Sequence, residues 1–318
     1  MKNNPPSYKR IAAGLALCVL SVNAAWAAGS TRIDYQAELI AAPSVTEQGY
    51  FQPPGWDAMP SGEFGAAVKR GYNIFRNTQD NAADYVGNGL SCANCHLNSG
   101  RRANSAPLWG AWGIYPKYRK KNDKVNTMED RIQGCFTYSL NGNQSKAGHA
   151  PGYGSDVLRD LQAYMFWLAT GAPTGKNLPG RGYMKLAKPE LAYDPARGKN
   201  VFAKNCAICH GVNGQGTKAN GKYAFPPLWG PDAYNWGAGM HRVNTAAGFI
   251  KANMPLGKPN SLTDQEAWDV AAYINSEERP QDPRHEGDID ATAKRFHNHQ
   301  GYYGKKVDGV LKGQGLSH

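Results

Sequence analysis

A mainly α protein, made of two copies of one unit in tandem, is what this 318-residue sequence predicts. Three observations carry that expectation. The pattern Cys-x-x-Cys-His occurs at 92–96 and again at 206–210. Each copy is followed by Pro-Leu-Trp-Gly, at 107–110 and 227–230. Each is then closed by a segment of helical period with Asp and Tyr four apart, Asp160 with Tyr164 and Asp269 with Tyr273.

The elements follow in chain order. Residues 1–27 read as an export signal: Lys2, Lys9 and Arg10 precede an apolar stretch at 11–22, and Ala25-Trp26-Ala27 fits small-x-small cleavage. A lipid anchor at Cys18 is the weaker reading, because bulky Leu17 precedes it. Cleavage removes three cations and no acid, taking the net charge from +11 to +8. Residues 28–60 form an N-terminal extension. The first unit, 61–172, opens on Phe64, Ala67, Val68, Gly71, Tyr72 and Phe75 at helical spacing. It closes on an apolar face of Val157, Leu158, Leu161, Tyr164, Met165 and Leu168. A linker, 173–190, leads to the second unit, 191–279. There Asp194-Pro195 reads as N-cap and first turn before Val201 and Phe202. Thr263-x-x-Glu266 reads as a capping box before Val270, Ala271 and Ile274. The tail, 280–318, is polar and holds His285, His297, His299 and His318; it reads as a strap with no chemistry assigned.

Composition narrows the function. With 8 Trp, 17 Tyr and 9 Phe the chain has the means to fold. The 37 Gly and 20 Pro argue against a long helical bundle. No apolar run approaches the roughly 18 residues of a membrane span. The excess of 36 Lys+Arg over 25 Asp+Glu favours an anionic substrate or an acidic partner. The basic run at 117–124 reads as a solvated face. Trp109 and Trp229 read as pocket packing.

The chemistry lies in the cysteines. Cys-x-x-Cys-His is the attachment motif of haem c: two thiols add to the vinyl groups and the adjoining histidine meets the iron. Cys92 and Cys95 with His96, and Cys206 and Cys209 with His210, therefore imply two covalent haems c. A redox dithiol or a half zinc site would not need the trailing histidine twice. An exported dihaem protein is not expected to bind nucleic acid. Cys135 is left over once Cys18 departs. An odd thiol of this kind is a link to a partner chain, a reactive thiol, a metal ligand or an inert buried group.

The two units resemble class I cytochrome c domains. In that family the distal iron ligand is usually a methionine in the loop before the last helix, and Asn253-Met254-Pro255 matches it. Met240, Lys251 and His241 are the competing ligands. Met254 lies 27 residues after Pro227; the same step from Pro107 ends at Gly134, one residue before Cys135. The repeat thus places Cys135 as distal ligand of the first haem, opposite His96. On a helix, Arg131, Cys135 and Ser139 form one stripe, with Ile132, Phe136 and Leu140 packing inward beside it. A cation and a hydroxyl next to a thiolate suit a small oxyanion. Pairing of Arg131 with a haem propionate or Glu129, and a plain surface role for Ser139, are the alternatives.

With these residues together, the chain resembles the thiosulfate dehydrogenase family, dihaem cytochromes c that couple two thiosulfates into tetrathionate. The resemblance rests on both haem motifs, on Arg131-Ile132-Gln133-Gly134-Cys135-Phe136, on Ser139 with Asn141-Gly142, and on Asn253-Met254-Pro255. It implies His96/Cys135 ligation at a catalytic first haem and His210/Met254 at a second. Arg131, Cys135 and Ser139 match the family's catalytic positions. Electrons would exit through the second haem to a redox partner such as a small cytochrome c, in the periplasm. Some members run well as tetrathionate reductases. Three other readings compete: a dihaem electron carrier with no substrate, the dihaem subunit of a multi-enzyme sulfur-oxidation system, and a dihaem peroxidase. Cys135 counts against the first, and the complete Met254 site favours a self-contained enzyme over the second.

Overall fold

In a computed structural model, residues 45–120 and 122–317 are described; the export signal, its cleavage point and most of the N-terminal extension lie outside them. Seven helices of eight residues or more carry the architecture among these residues: α1 Gly62–Arg76, α2 Met128–Tyr138, α3 Asp156–Leu168, α4 Pro195–Asn205, α5 Val243–Asn253, α6 Asp264–Ser276 and α7 Ile289–Phe296. Among the described residues strands occur only as small antiparallel hairpins: Lys117–Arg119 with Lys124–Asn126, Thr217–Ala219 with Lys222–Phe225, and Lys306–Val307 with Val310–Leu311. No described helix is long and apolar enough to cross a membrane.

The repeat is visible at atomic detail. In the first half α1 crosses α3, and a Cβ on Gly71 would stand 1.9 Å from the Asp160 carbonyl oxygen. In the second α4 crosses α6, and a Cβ on Gly198 would stand 2.0 Å from the Asp269 carbonyl oxygen. Only glycine permits either crossing. Beside each lies the same fork. Arg70 donates to both Asp160 oxygens at 2.8 and 2.9 Å, and Arg197 to both Asp269 oxygens at 2.8 Å. These bidentate pairs orient as well as attract. Asp194 caps α4 with Pro195 at its start, and the Thr263–Glu266 box opens α6.

The first core gathers Val68, Phe75, Ile132, Phe136, Leu140, Leu158, Leu161 and Leu168, and it also takes in Tyr234 and Ala238 from the second half. The second packs Phe202, Trp229, Val243, Trp268, Val270 and Ile274. The halves dock through the end of α2, whose last carbonyls have no partner within the helix. Asn235 fills that need: its N–H donates to Tyr138 O at 3.1 Å and its Nδ2 to Thr137 O at 3.0 Å.

At the end of the second unit Arg279 is buried, stacks on Tyr234 and Trp236, and donates to Ile274 O at 2.7 Å; the tail that follows packs back on the same half. Beyond α7, Gln300 O accepts from Val243 N at 3.1 Å, and His297 is buried.

Candidate functional site

The first haem motif follows α1 as a tight turn. Ser91 and Asn94 cap it reciprocally, and buried Thr78 accepts from Cys92 N at 3.2 Å and donates to its sulfur at 3.4 Å. After His96 the chain holds Asn98, Ser99 and Gly100 in the left-handed region, at φ 51°, 54° and 79°. Tyr164 on α3 anchors this strained turn by donating to Ser99 O at 2.7 Å. Leu108 N then donates to Gly100 O at 2.8 Å, as Leu228 N does to Gly214 O in the second half.

Both histidines are held alike. His96 Nδ1 lies 2.6 Å from Ala106 O, and His210 Nδ1 lies 2.8 Å from Pro226 O. In each case the carbonyl immediately precedes the Pro of Pro-Leu-Trp-Gly, so the repeated motif orients the ring. The outward nitrogen donates, which leaves Nε2 as the unprotonated ligand for iron. Burial pushes the His210 pKa down, keeping it in the neutral form that binds metal.

A cavity of about 490 Å³ lies against the second motif. Cys206, Cys209 and His210 line it together with Met254, Met240 and Cys95 of the first motif. Its apolar wall and its donor set of paired thiols, imidazole and thioether fit a covalent haem. Of the competing ligands, Lys251 is engaged elsewhere, donating to Leu262 O at 2.7 Å and pairing with Asp264 at 3.0 Å. His241 is turned to other histidines. Met254 and Met240 both face the cavity.

The stripe on α2 forms as its spacing predicts. Thr127 and Asp130 make a capping box at its start, and Ile132, Phe136 and Leu140 are buried. Arg131 Nη1 stands 3.0 Å from Cys135 Sγ, so Arg131 is not paired with Glu129, which instead accepts from Gly154 N and Gln162. The His96 ring lies close enough to Cys135 to favour its thiolate. Burial pushes the Cys135 thiol up, but Arg131 and His96 together outweigh it and hold it at about 6. Burial instead drives Cys92 and Cys95 up to about 12, and Cys206 to about 11. Ser139 caps α2 one turn on; its N–H donates to Cys135 O at 2.8 Å and its carbonyl accepts from Asn88. Its hydroxyl is not bonded to Arg131 or Cys135. Two residues that sequence reasoning missed lie near: Tyr115 and Tyr183 are both close enough to feel the Arg131 charge. Tyr183 belongs to the segment read as a linker, and nothing in its local sequence marks it.

Comparison with known proteins agrees with the two-domain fold. Residues 195–278 match the cytochrome c family, and residues 81–174 match the SoxA/TsdA cytochrome c domain. The thiosulfate dehydrogenase of Stutzerimonas stutzeri is 52% identical over 306 residues, covering 95% of this chain and 98% of that protein. That of Thiomonas intermedia is 48% identical over 305 residues, covering 94% and 95%. Among solved structures, the TsdBA thiosulfate dehydrogenase of Marichromatium purpuratum, as isolated, superposes with a TM-score of 0.82 at 53% identity. The match covers 84% of this chain and 58% of that one. The protein is thus a mainly α dihaem oxidoreductase of two cytochrome c domains, each with a covalently bound haem c. By fold, haem motifs and full-length likeness, the chain belongs to the thiosulfate dehydrogenase family.

Proposed function

We propose that this protein oxidises two thiosulfate ions to tetrathionate, with Cys135 as the reacting thiol. The observation that carries the reading is the contact of Cys135 with Arg131 at 3.0 Å, beside the proximal-type His96. His96 and Cys135 would hold the iron of the first haem, and His210 and Met254 that of the second. When bound, each haem supplies a store for one electron. Arg131 binds and orients the dianion, drawing two like-charged substrates in turn to one place. Ser139, one turn along α2, adds a hydroxyl donor for a sulfonate oxygen. The Cys135 thiolate forms a sulfur–sulfur bond to the terminal sulfur of one thiosulfate, and two electrons leave. A second thiosulfate attacks that sulfur, breaking its bond to Cys135; tetrathionate departs and the thiolate is regenerated. The same steps reversed reduce tetrathionate. Electrons exit through the second half to an acceptor such as a small cytochrome c, because residues of both haem motifs line one cavity. The signal at 1–27 supports action in the periplasm.

The test is a thiosulfate–ferricyanide assay on the purified holoprotein. One tetrathionate should form per two ferricyanides consumed. Cys135→Ser should keep both haems, change the spectrum of one and make no tetrathionate. Near-normal turnover by Cys135→Gly would remove the covalent step.

A further inference from the structure

The tail returns to the second half at a cluster that plays no part in the reaction above. His241 ends a short 3₁₀ turn, Gly239–His241, just before α5; His297 caps the end of α7, and His299 follows. His241 Nε2 lies 3.2 Å from His299 Nε2 and 3.2 Å from His297 Nδ1. The three ligand atoms all fall within 4.8 Å of one another. We propose that His241, His297 and His299 form a binding site for a divalent transition metal, with zinc as its natural class of ion, that fastens the tail to the base of α5.

The outward partner of each ring fixes its tautomer. His241 Nδ1 faces Ala238 O, His297 Nε2 faces Asp282 Oδ2 at 2.9 Å, and His299 Nδ1 faces Gln300 O at 3.3 Å. All three partners are acceptors, so each outward nitrogen carries the proton. The inward nitrogens are then the unprotonated ones, and three lone pairs converge on one point. Neutral rings in that arrangement repel one another unless a cation lies among them. This is the arrangement of metal-binding histidines, whose second nitrogen donates to a carbonyl or carboxylate that fixes tautomer and orientation. Asp282 is itself held by Arg284 at 2.5 and 2.9 Å. Tyr303 stacks on His297 with centroids 4.0 Å apart and planes at 12°.

Distance and chemistry select the ion. Zinc–nitrogen bonds of about 2.0–2.1 Å in a tetrahedron separate the nitrogens by roughly 3.3 Å, close to the two 3.2 Å spacings from His241, with the third pair within 4.8 Å. An all-imidazole set suits zinc, copper or nickel rather than calcium or magnesium. His241 and His297 are buried and His299 is half-buried, so the site lies at the edge of the fold. An ion there would close a loop between positions 56 residues apart.

The test uses untagged holoprotein, stripped with a chelator, dialysed against micromolar Zn²⁺ and counted against haem iron by mass spectrometry. About one zinc per two irons is expected, with a higher melting temperature. His299→Ala and His297→Ala should keep both haems, take up no zinc and lose that thermal response. Zinc far below stoichiometry in the wild type would overturn the site, as would equal zinc in His299→Ala. Should the variants lose their haems, X-ray absorption at the zinc edge of the wild type decides. Three imidazoles around the ion support the site, and oxygen-dominated coordination overturns it.

Discussion

Arg131 and Cys135 are four residues apart in sequence and 3.0 Å apart in space, so helical geometry alone delivers the cation to the thiol. That is why this pair could be read from the chain before any coordinates. Tyr115 and Tyr183 could not, since they reach Arg131 only through the packing of distant segments. The guanidinium is planar and always charged, and an ammonium copies its charge but not its shape. Arg131→Met should therefore lower kcat/KM for thiosulfate about 100-fold, and Arg131→Lys should recover part of the loss. Both should retain two haems, as checked by iron content and the ferricyanide assay. Unchanged kcat/KM in Arg131→Met would assign the arginine to structure alone.

At the level of the element, α2 shows where residue counting works and where it stops. The step of 27 ends at Gly134, inside α2, whereas Met254 stands at the C-cap of α5; Cys135 lies within α2 and Ser139 is its cap. The halves also space their parts differently. The bonded carbonyl is 10 residues from the proximal histidine in the first half and 16 in the second, where a hairpin intervenes. The start of α2 carries a signal that the sequence reading passed over, since Thr127-x-x-Asp130 is a capping-box pattern. Asp130 receives bonds from Lys124, Tyr153 and Thr127 that hold its carboxyl below the ordinary range. A lowered native pKa means that this stabilisation is complete above the unfolded value of about 3.9. It shrinks as the pH falls below that value and is gone once the native value is passed. Asp130→Ala should cost about 1 kcal/mol at neutral pH, and its melting temperature should converge on the wild type's as the pH falls. A difference that stays constant with pH would show that the charge is not what matters.

Across the whole molecule, the two-unit plan was legible because each unit repeats its motifs in order. The joining of the units was not, because Asn235 finds its partner Thr137 on α2 at a distance of 98 residues along the chain. Asn235 serves two carbonyls of α2, so the halves should melt together in one transition, followed by far-ultraviolet circular dichroism and by haem absorbance. Asn235→Ala should lower stability by about 1–3 kcal/mol, and two separated transitions in the wild type would show the docking to be weak. The matching forks and glycine crossings repeat one plan, yet the two halves are not independent. The first borrows Tyr234 and Ala238 to complete its core and Asn235 to finish its key helix. Recombination within 173–190 would preserve both reading frames, yet neither offspring would inherit a whole protein.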